Sequence, residues 1–173
     1  DEAAAMLEQA HRPVIFAGGG VISSGASEKL TDFAERLEIP VTTTLLGKGA
    51  FPESHPLGLS LGMAGMHGHP AANRALMSAD VILTIGSRFS DRTTGKRDRF
   101  APEAKIIHID LDPAEIDKTI GSDVWLVGDA LFIIDLLDKA VKKKQDRSAW
   151  IDRLAEIRRD EPMPHVKFDG KIA

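Results

Sequence analysis

Residues 13–25 read PVIFAGGGVISSG, and what they become decides the fold. Pro13 ends a run of strong helix formers that extends from Glu2 to Ala10. The apolar, partly β-branched residues that follow do not alternate with polar ones. A short run of that kind suits a strand buried on both faces, as in a parallel sheet. Gly18, Gly19 and Gly20 then turn the chain, and SEKLTDFAERL sets Leu30, Phe33, Ala34 and Leu37 at helical spacing. A strand, a turn and a helix make the first unit of an alternating α/β fold.

The alternation continues outward from there. PVTTTLL from Pro40, VILTIG (81–86), KIIHIDLD (105–112) and DVWLVG (123–128) predict four more strands. Pro70 to Ala79 predicts a helix with proline in its first turn. Asp112 as N-cap, Pro113 at the first position and Glu115 at the third predict a helical turn. Asp129 predicts the cap of a helix running to about Lys143, with Leu131, Ile134, Leu137 and Val141 on one face. SAWIDRLAEIRRD (148–160) predicts a last amphipathic helix. Gly47 to His69 reads as a long glycine-rich connection, residues 86–104 as a polar loop, and the proline-interrupted EPMPHVKFDGKIA as an extended linker. The expected fold is a three-layer αβα open parallel sheet of five to six strands, Rossmann-like, over residues 1–144. A C-terminal helix and linker follow in 145–173.

Composition narrows the functions. The chain has 173 residues, room for one good core. A net charge of −4 gives no electrostatic case for nucleic acid or an anionic membrane. The sequence has no cysteine, which removes disulfides and thiolate metal sites and fits the cytosol. No run is long enough to span a bilayer, and no secretory leader is visible. The opening DEAAAMLEQA lacks an initiator Met, so the expectation is a piece of a longer protein.

Open parallel sheets bind ligands beyond the carboxyl ends of their strands. The unusual segments sit at those ends: GGG, TTTLLGKG, GSRFSDR, DLDP and GDA. They are expected to share one rim. GGGVISSG matches the dinucleotide fingerprint at Gly18 and Gly20 but has Ser23 at the third glycine position. The carboxylate usual after the second strand is replaced by Thr42, Thr43 and Thr44, so a standard NAD site is disfavoured. The glycines either admit a ligand to the backbone and leave helix N–H groups for an anion, or simply make a tight turn. Arg88 and Arg92 suit a pyrophosphate, unless they pair with Asp91 or Asp98. Asp110 suits ribose hydroxyls or is one more polar loop residue. Asp112 and Asp129 are explained as caps, although the N–H groups beside Asp129 are placed for an adenine edge or a phosphate. His67 and His69 lack the spacing and the third ligand of a metal site. No Ser-His-Asp order is visible.

One segment remains, LGMAGMHGHPAAN (61–73), too apolar for a linker and too glycine-rich for a helix. With RPVIFAGGGV, PVTTTLLGKGAFPESHPLGLS, ADVILTIGSRFSDRTTG, FAPEAKIIHIDLDPAEI and VGDA in this order, the chain resembles the central domain of thiamine-diphosphate-dependent acetolactate synthase large subunits. The resemblance covers nearly the whole chain. It implies FAD as the cofactor of this domain, with the glycine–methionine loop lying along the flavin. By position it places Gly18, Gly19 and Gly20 at the ribityl-phosphate region. Thr44, Leu45, Leu46, Gly65, Met66 and His67 fall at the flavin side. Gly86, Ser87, Arg88 and Arg92 follow the phosphates and ribityl chain. Asp110 and Leu111 meet the adenosine end, and Gly128, Asp129 and Ala130 the adenine. Ser90 stands where that family commonly has Asp.

The resemblance also implies that thiamine diphosphate and Mg act through other domains. The thiamine motif G-D-G with a distant N-N is absent here, and the activating glutamate belongs to a preceding domain. No catalytic and no metal-ligating residue is therefore expected in this chain, which alone would not condense two pyruvates to 2-acetolactate. Implied partners are flanking domains of the same chain, a homodimer or tetramer, and a regulatory small subunit. The implied compartment is the cytoplasm, or a plastid or mitochondrion in a eukaryote. The middle domain of a pyruvate oxidase or glyoxylate carboligase, and an ADP- or coenzyme A-binding module without flavin, are the alternatives.

Overall fold

The computed structural model describes residues 1–96 and 99–162. Its organising element is β1 (Pro13–Ala17), buried at every position. β1 pairs in parallel with β2 (Val41–Thr43) on one side and β4 (Val81–Ile85) on the other. β3 (Ser60–Met63) extends the sheet beyond β2, and β5 (Lys105–Asp110) and β6 (Val124–Val127) extend it beyond β4. The order is β3-β2-β1-β4-β5-β6 and every pairing is parallel.

Alternate residues of the strands feed two cores. Ile15, Ala17, Leu83, Ile85, Ile107 and Ile109 face one side of the sheet. There α1 (Glu2–Gln9), α3 (Ser27–Leu37) and α6 (Ala130–Ala140) add Leu7, Leu30, Phe33, Ile134 and Leu137. Val14, Phe16, Ile82 and Ile106 face the other side, with Ala72 and Leu76 of α4 (Pro70–Ser78) and Trp150 and Leu154 of α7 (Ser148–Asp160). Both faces are covered, which is why the strand sequences are apolar without alternation.

Several sequence expectations need correction. The connection 47–69 contains β3. It escapes pattern reading because SLGM is short, Gly62 has φ of 79°, and the pairing with β2 shifts register between Val41 and Thr42. β2 stops at Thr43, so Leu45 and Leu46 lie in a turn. α6 ends at Ala140 instead of Lys143, because Val141 is extended (φ −73°, ψ 113°). The loop after β4 is not wholly polar. It holds the short helix α5 (Asp91–Thr94) and, among the described residues, three buried apolar ones, Phe89, Phe100 and Ala101. Phe89 packs on Phe16 and Phe100 at centroid distances of 5.9 and 5.7 Å. The extended-linker expectation for residues beyond 162 falls outside the described residues.

The amino-terminal edge of the sheet is tied by side chains. Arg147, fully buried, donates from Nε to the Ala10 carbonyl (3.2 Å), from Nη2 to Leu7 (2.6 Å) and from Nη1 to Leu37. These are terminal carbonyls of α1 and α3, which have no helical partner and sit at the negative ends of two helix dipoles. Asp80 accepts the N–H groups of His11 (2.8 Å) and Arg12 (3.0 Å). Asp123 accepts the Ile106 N–H at 2.8 Å, and Trp150 Nε1 donates to the Pro13 carbonyl at 3.1 Å.

Candidate functional site

At the carboxyl ends of the strands the loops surround a cleft of about 910 Å³. Of the residues predicted for the site, all except Gly18 line it. The strand order sets their sequence across the cleft. The β3 loop brings Gly65, Met66 and His67, and the β2 turn brings Thr44, Leu45 and Leu46. Gly19 and Gly20 after β1 and Gly86, Ser87 and Arg88 after β4 hold the middle, while Arg92, further along the β4 loop, comes back beside Met66. Asp110 and Leu111 after β5 and Gly128, Asp129 and Ala130 after β6 hold the far end.

Two of the glycines in the middle are also required by the fold itself. A Cβ on Gly18 would stand 2.0 Å from the Gly86 carbonyl oxygen, and one on Gly20 2.7 Å from Gly86 Cα. Two loops therefore cross backbone to backbone, and glycine is required for that crossing. Gly18 N–H donates to Ile85 O at 2.8 Å and Gly20 N–H to Gly86 O at 3.2 Å. Of the N–H groups at the start of the short helix α2 (Gly19–Ser23), those of Gly20 and Val21 are thus engaged inside the protein. Gly19 faces the cleft, with Leu46 Cβ 3.4 Å from where its own Cβ would be.

The glycine–methionine loop is held firmly. Asn73 on α4 accepts the Gly65 N–H at 2.8 Å and donates to the Gly65 carbonyl at 2.9 Å. Met66 N–H donates to the Arg92 carbonyl (3.0 Å) and His69 N–H to Met63 O (2.7 Å). The side chain of Met66 is left 77% exposed, beside Leu46 at 81% and Leu45 at 68%. Leu111 is 70% exposed at the opposite end. Such exposed apolar side chains, gathered in a concave site with a few polar groups, are the makings of a small-molecule pocket.

The polar groups are specific. Arg88 and Arg92 are exposed on the lip. Asp110 also has a local structural part: its Oδ1 accepts the Asp112 N–H at 3.0 Å. Asp112 caps the 3₁₀ turn Pro113–Glu115 through Ala114 N–H (2.9 Å), as its position predicts. Asp129 caps α6 through Leu131 N–H (3.0 Å) and Phe132 N–H (3.4 Å). His69 N-caps α4 by accepting the Ala71 N–H at 3.2 Å. Burial, then the nearby Arg158 guanidinium, pushes its pKa below the usual histidine value. Among the described residues no three His, Cys, Asp or Glu side chains gather as a metal would need. No helix among them is long and apolar enough to cross a membrane.

Sequence reasoning missed Ser23, Ser24, Met63, Ser90 and Thr93 in the cleft wall, and Asn73 behind it. Met63 follows from β3, which was itself hidden. Asn73 reads as an ordinary polar residue on a helix, and only its spacing from Gly65 hints at a clamp.

These features agree with similarity to known proteins. The chain is 52% identical over 172 residues to a probable acetolactate synthase large subunit of Methanocaldococcus jannaschii, covering 98% of this chain and 29% of that protein. It is 53% identical over 177 residues to an acetolactate synthase of Mycobacterium avium, covering 99% and 28%. With an acetolactate synthase large subunit of Corynebacterium glutamicum the identity is 46% over 176 residues, covering 99% and 28%. The chain thus spans under a third of the length of these relatives. The family model described as thiamine pyrophosphate enzyme, central domain, matches residues 1–137. With the parallel sheet and the cleft at its carboxyl edge, this match makes the chain a member of the thiamine pyrophosphate enzyme central-domain family.

Proposed function

We propose that the cleft binds FAD and that the chain is the middle domain of an acetolactate synthase large subunit. That enzyme condenses two pyruvates to 2-acetolactate in branched-chain amino-acid synthesis. The observation that carries the cofactor reading is the order of chemistry along the cleft. Exposed Leu45, Leu46 and Met66 at one end suit a flat apolar ring. Arg88 in the middle, with Arg92 further along the same loop, suits a pyrophosphate. Asp110 and the turn Gly128–Ala130 at the other end suit a ribose and an adenine. The strand order supports this sequence, running from β3 and β2 through β1 and β4 to β5 and β6.

Bound FAD would supply an isoalloxazine ring. Joining two pyruvates with loss of carbon dioxide is redox-neutral, so the ring's part here is structural. The condensation itself belongs to thiamine diphosphate and Mg, held by other parts of the full-length enzyme. Its flanking domains, its homodimer or tetramer and a regulatory small subunit are the partners. The cytoplasm, or an organelle in a eukaryote, is its setting.

Titration of the chain with FAD, ADP and FMN tests this. FAD and ADP are expected to compete for one site, with FMN the weakest of the three. A folded chain that binds none of them, or prefers FMN, overturns the cofactor reading. ADP binding without FAD binding would favour a nucleotide module without flavin. No acetolactate is expected from the purified chain with pyruvate, thiamine diphosphate, Mg and FAD, and turnover there would refute the assignment of chemistry to other domains.

A further inference from the structure

Under the cleft floor lies a polar spot, two of whose members, Thr84 and His108, do not line the cleft. Thr84 on β4 and His108 on β5 are in register, so their side chains leave the same face of the sheet. Ser87 follows two residues beyond the end of β4. Exposure of the three is 0% for Thr84, 1% for His108 and 3% for Ser87. Thr84 Oγ1, Ser87 Oγ and both ring nitrogens of His108 have no hydrogen-bond partner among the described residues. Buried polar atoms in native proteins are nearly always bonded, to protein or to ordered water.

The surroundings offer no substitute. The His108 ring meets Phe89 edge to face, with centroids 5.4 Å apart. The Ser87 backbone is close enough to favour the charged ring, yet neither ring nitrogen has a hydrogen-bond partner among the described residues. Burial pushes the His108 pKa below its usual value, against the opposing pull of Asp110 and the Ser87 backbone. At neutral pH this favours the neutral ring, which has one donor and one acceptor to satisfy. Asp110 lies two residues along β5, on the same face as His108. Its Oδ2 is 4.0 Å from His108 Nε2. That is too long for a direct bond and suits one bridged by water.

We propose that Thr84, Ser87 and His108 form a buried water site, and that water held there also bonds Asp110 Oδ2. His108 is then a positioning residue for the carboxylate in the cleft floor. One buried water makes roughly three hydrogen bonds, so one or two would satisfy the set. Asp110 is held from two sides: Asp112 N–H fixes Oδ1 at 3.0 Å, and the water fixes Oδ2. The water site stands on geometry alone, whereas the use of Asp110 toward a ribose rests on the reading of the cleft given above.

NMR on the ligand-free chain tests it. A cross-relaxation signal from bound water to the His108 ring protons is expected in the parent. The Asp112 amide reports where Asp110 points. In His108→Phe its hydrogen exchange should quicken by about tenfold relative to the Ile15 amide, the effect of one lost hydrogen bond. His108→Gln, which keeps a donor and an acceptor, should restore the parent rate. If His108→Phe does not fold, Thr84→Val and Ser87→Ala replace it, each expected to weaken the water signal. A parent chain without that signal, or an Asp112 amide indifferent to every variant, overturns the proposal. ADP titration is a separate arm. A parent that fails to bind ADP counts against the cleft reading, while the two NMR measurements alone decide the water site.

Discussion

At the amino ends of the strands, charged side chains from distant segments close the backbone. Arg147 takes the carbonyls of Leu7, Ala10 and Leu37, and Asp80 takes the N–H groups of His11 and Arg12. At the carboxyl ends, the loops meet through bare backbone at Gly18, Gly20 and Gly86, and Leu45, Leu46, Met66 and Leu111 stay exposed. Both ends face the same need, since backbone groups buried without partners are costly. One end meets it with side chains that then have nothing left to offer a ligand. The other meets it at the glycine crossing with backbone, helped by local side chains such as Asn73 and Asp129, and keeps Arg88 and Arg92 on the lip. The difference teaches where stability and binding are separable in this sheet.

The strongest test of that separation is Arg147→Ala. It leaves three buried carbonyls unpaired at about 1–3 kcal/mol each, so a loss of at least ~3 kcal/mol is expected. Urea unfolding measures it as a lower midpoint with an unchanged slope. FAD affinity of the folded protein should not move. A loss below about 1 kcal/mol would break the comparison at its lower end.

The opposite result is expected for Arg88→Ala. A charge-assisted bond to phosphate contributes roughly 1.5–3 kcal/mol, so FAD affinity should fall by that amount while the urea midpoint stays put. Arg99→Ala, outside the cleft lining, should change neither. Equal affinities in the two variants would remove Arg88 from the site.

Gly18→Ala probes where the separation fails. Its Cβ would meet the Gly86 carbonyl at 2.0 Å, so overpacking should cost about 1–3 kcal/mol of stability although the residue sits at the binding end. Gly19→Ala, with its nearest neighbour at 3.4 Å, should fold like the parent. If the two alanines destabilise equally, the backbone crossing is not what demands glycine. The smallest effect belongs to Asn73→Ala. Losing two bonds to Gly65 should lower the local opening free energy of that loop by about 1–2 kcal/mol, read as faster exchange of the Gly65 amide. An unchanged rate would mean that the Met66 and His69 bonds suffice.

Much of this was legible in the sequence, and unevenly. β1, β4 and β5 stand out because strands buried on both faces must be mostly apolar, Thr84 and His108 being the buried polar exceptions. Their ends then locate the rim, which is how Arg88 and Asp110 emerge without any contact being known. β3 is illegible because Gly62 and the register shift beside it erase the pattern. Arg147 is hidden for another reason. It follows KKKQD, a run that reads as solvated charge, and only the convergence of α1 and α3 turns a guanidinium there into an inside residue. Phe89 is hidden within a charged loop, and takes a positive φ of 47° that its burial against Phe16 and Phe100 offsets. Local sequence reports periodicity and caps. It does not report which distant backbone a side chain will meet.

The strand order has a consequence for how the molecule assembles. β1 lies at the centre, yet its second neighbour, β4, comes only after β2, α3, β3 and α4 have been made. Pairings between residues far apart in sequence form slowly, because the intervening chain must first be closed into a loop. While the chain is being synthesised, the β1–β2–β3 half can associate early with α1 and α3. The β4 edge of β1 then stays unpaired until residues 81–85 arrive, and Val14 and Phe16 on its face wait longer still for Phe89 and Trp150. An unpaired apolar strand edge of that kind is a template for aggregation. Refolding of this chain should therefore show a slow phase set by β1–β4 docking, and yields that decline as protein concentration rises.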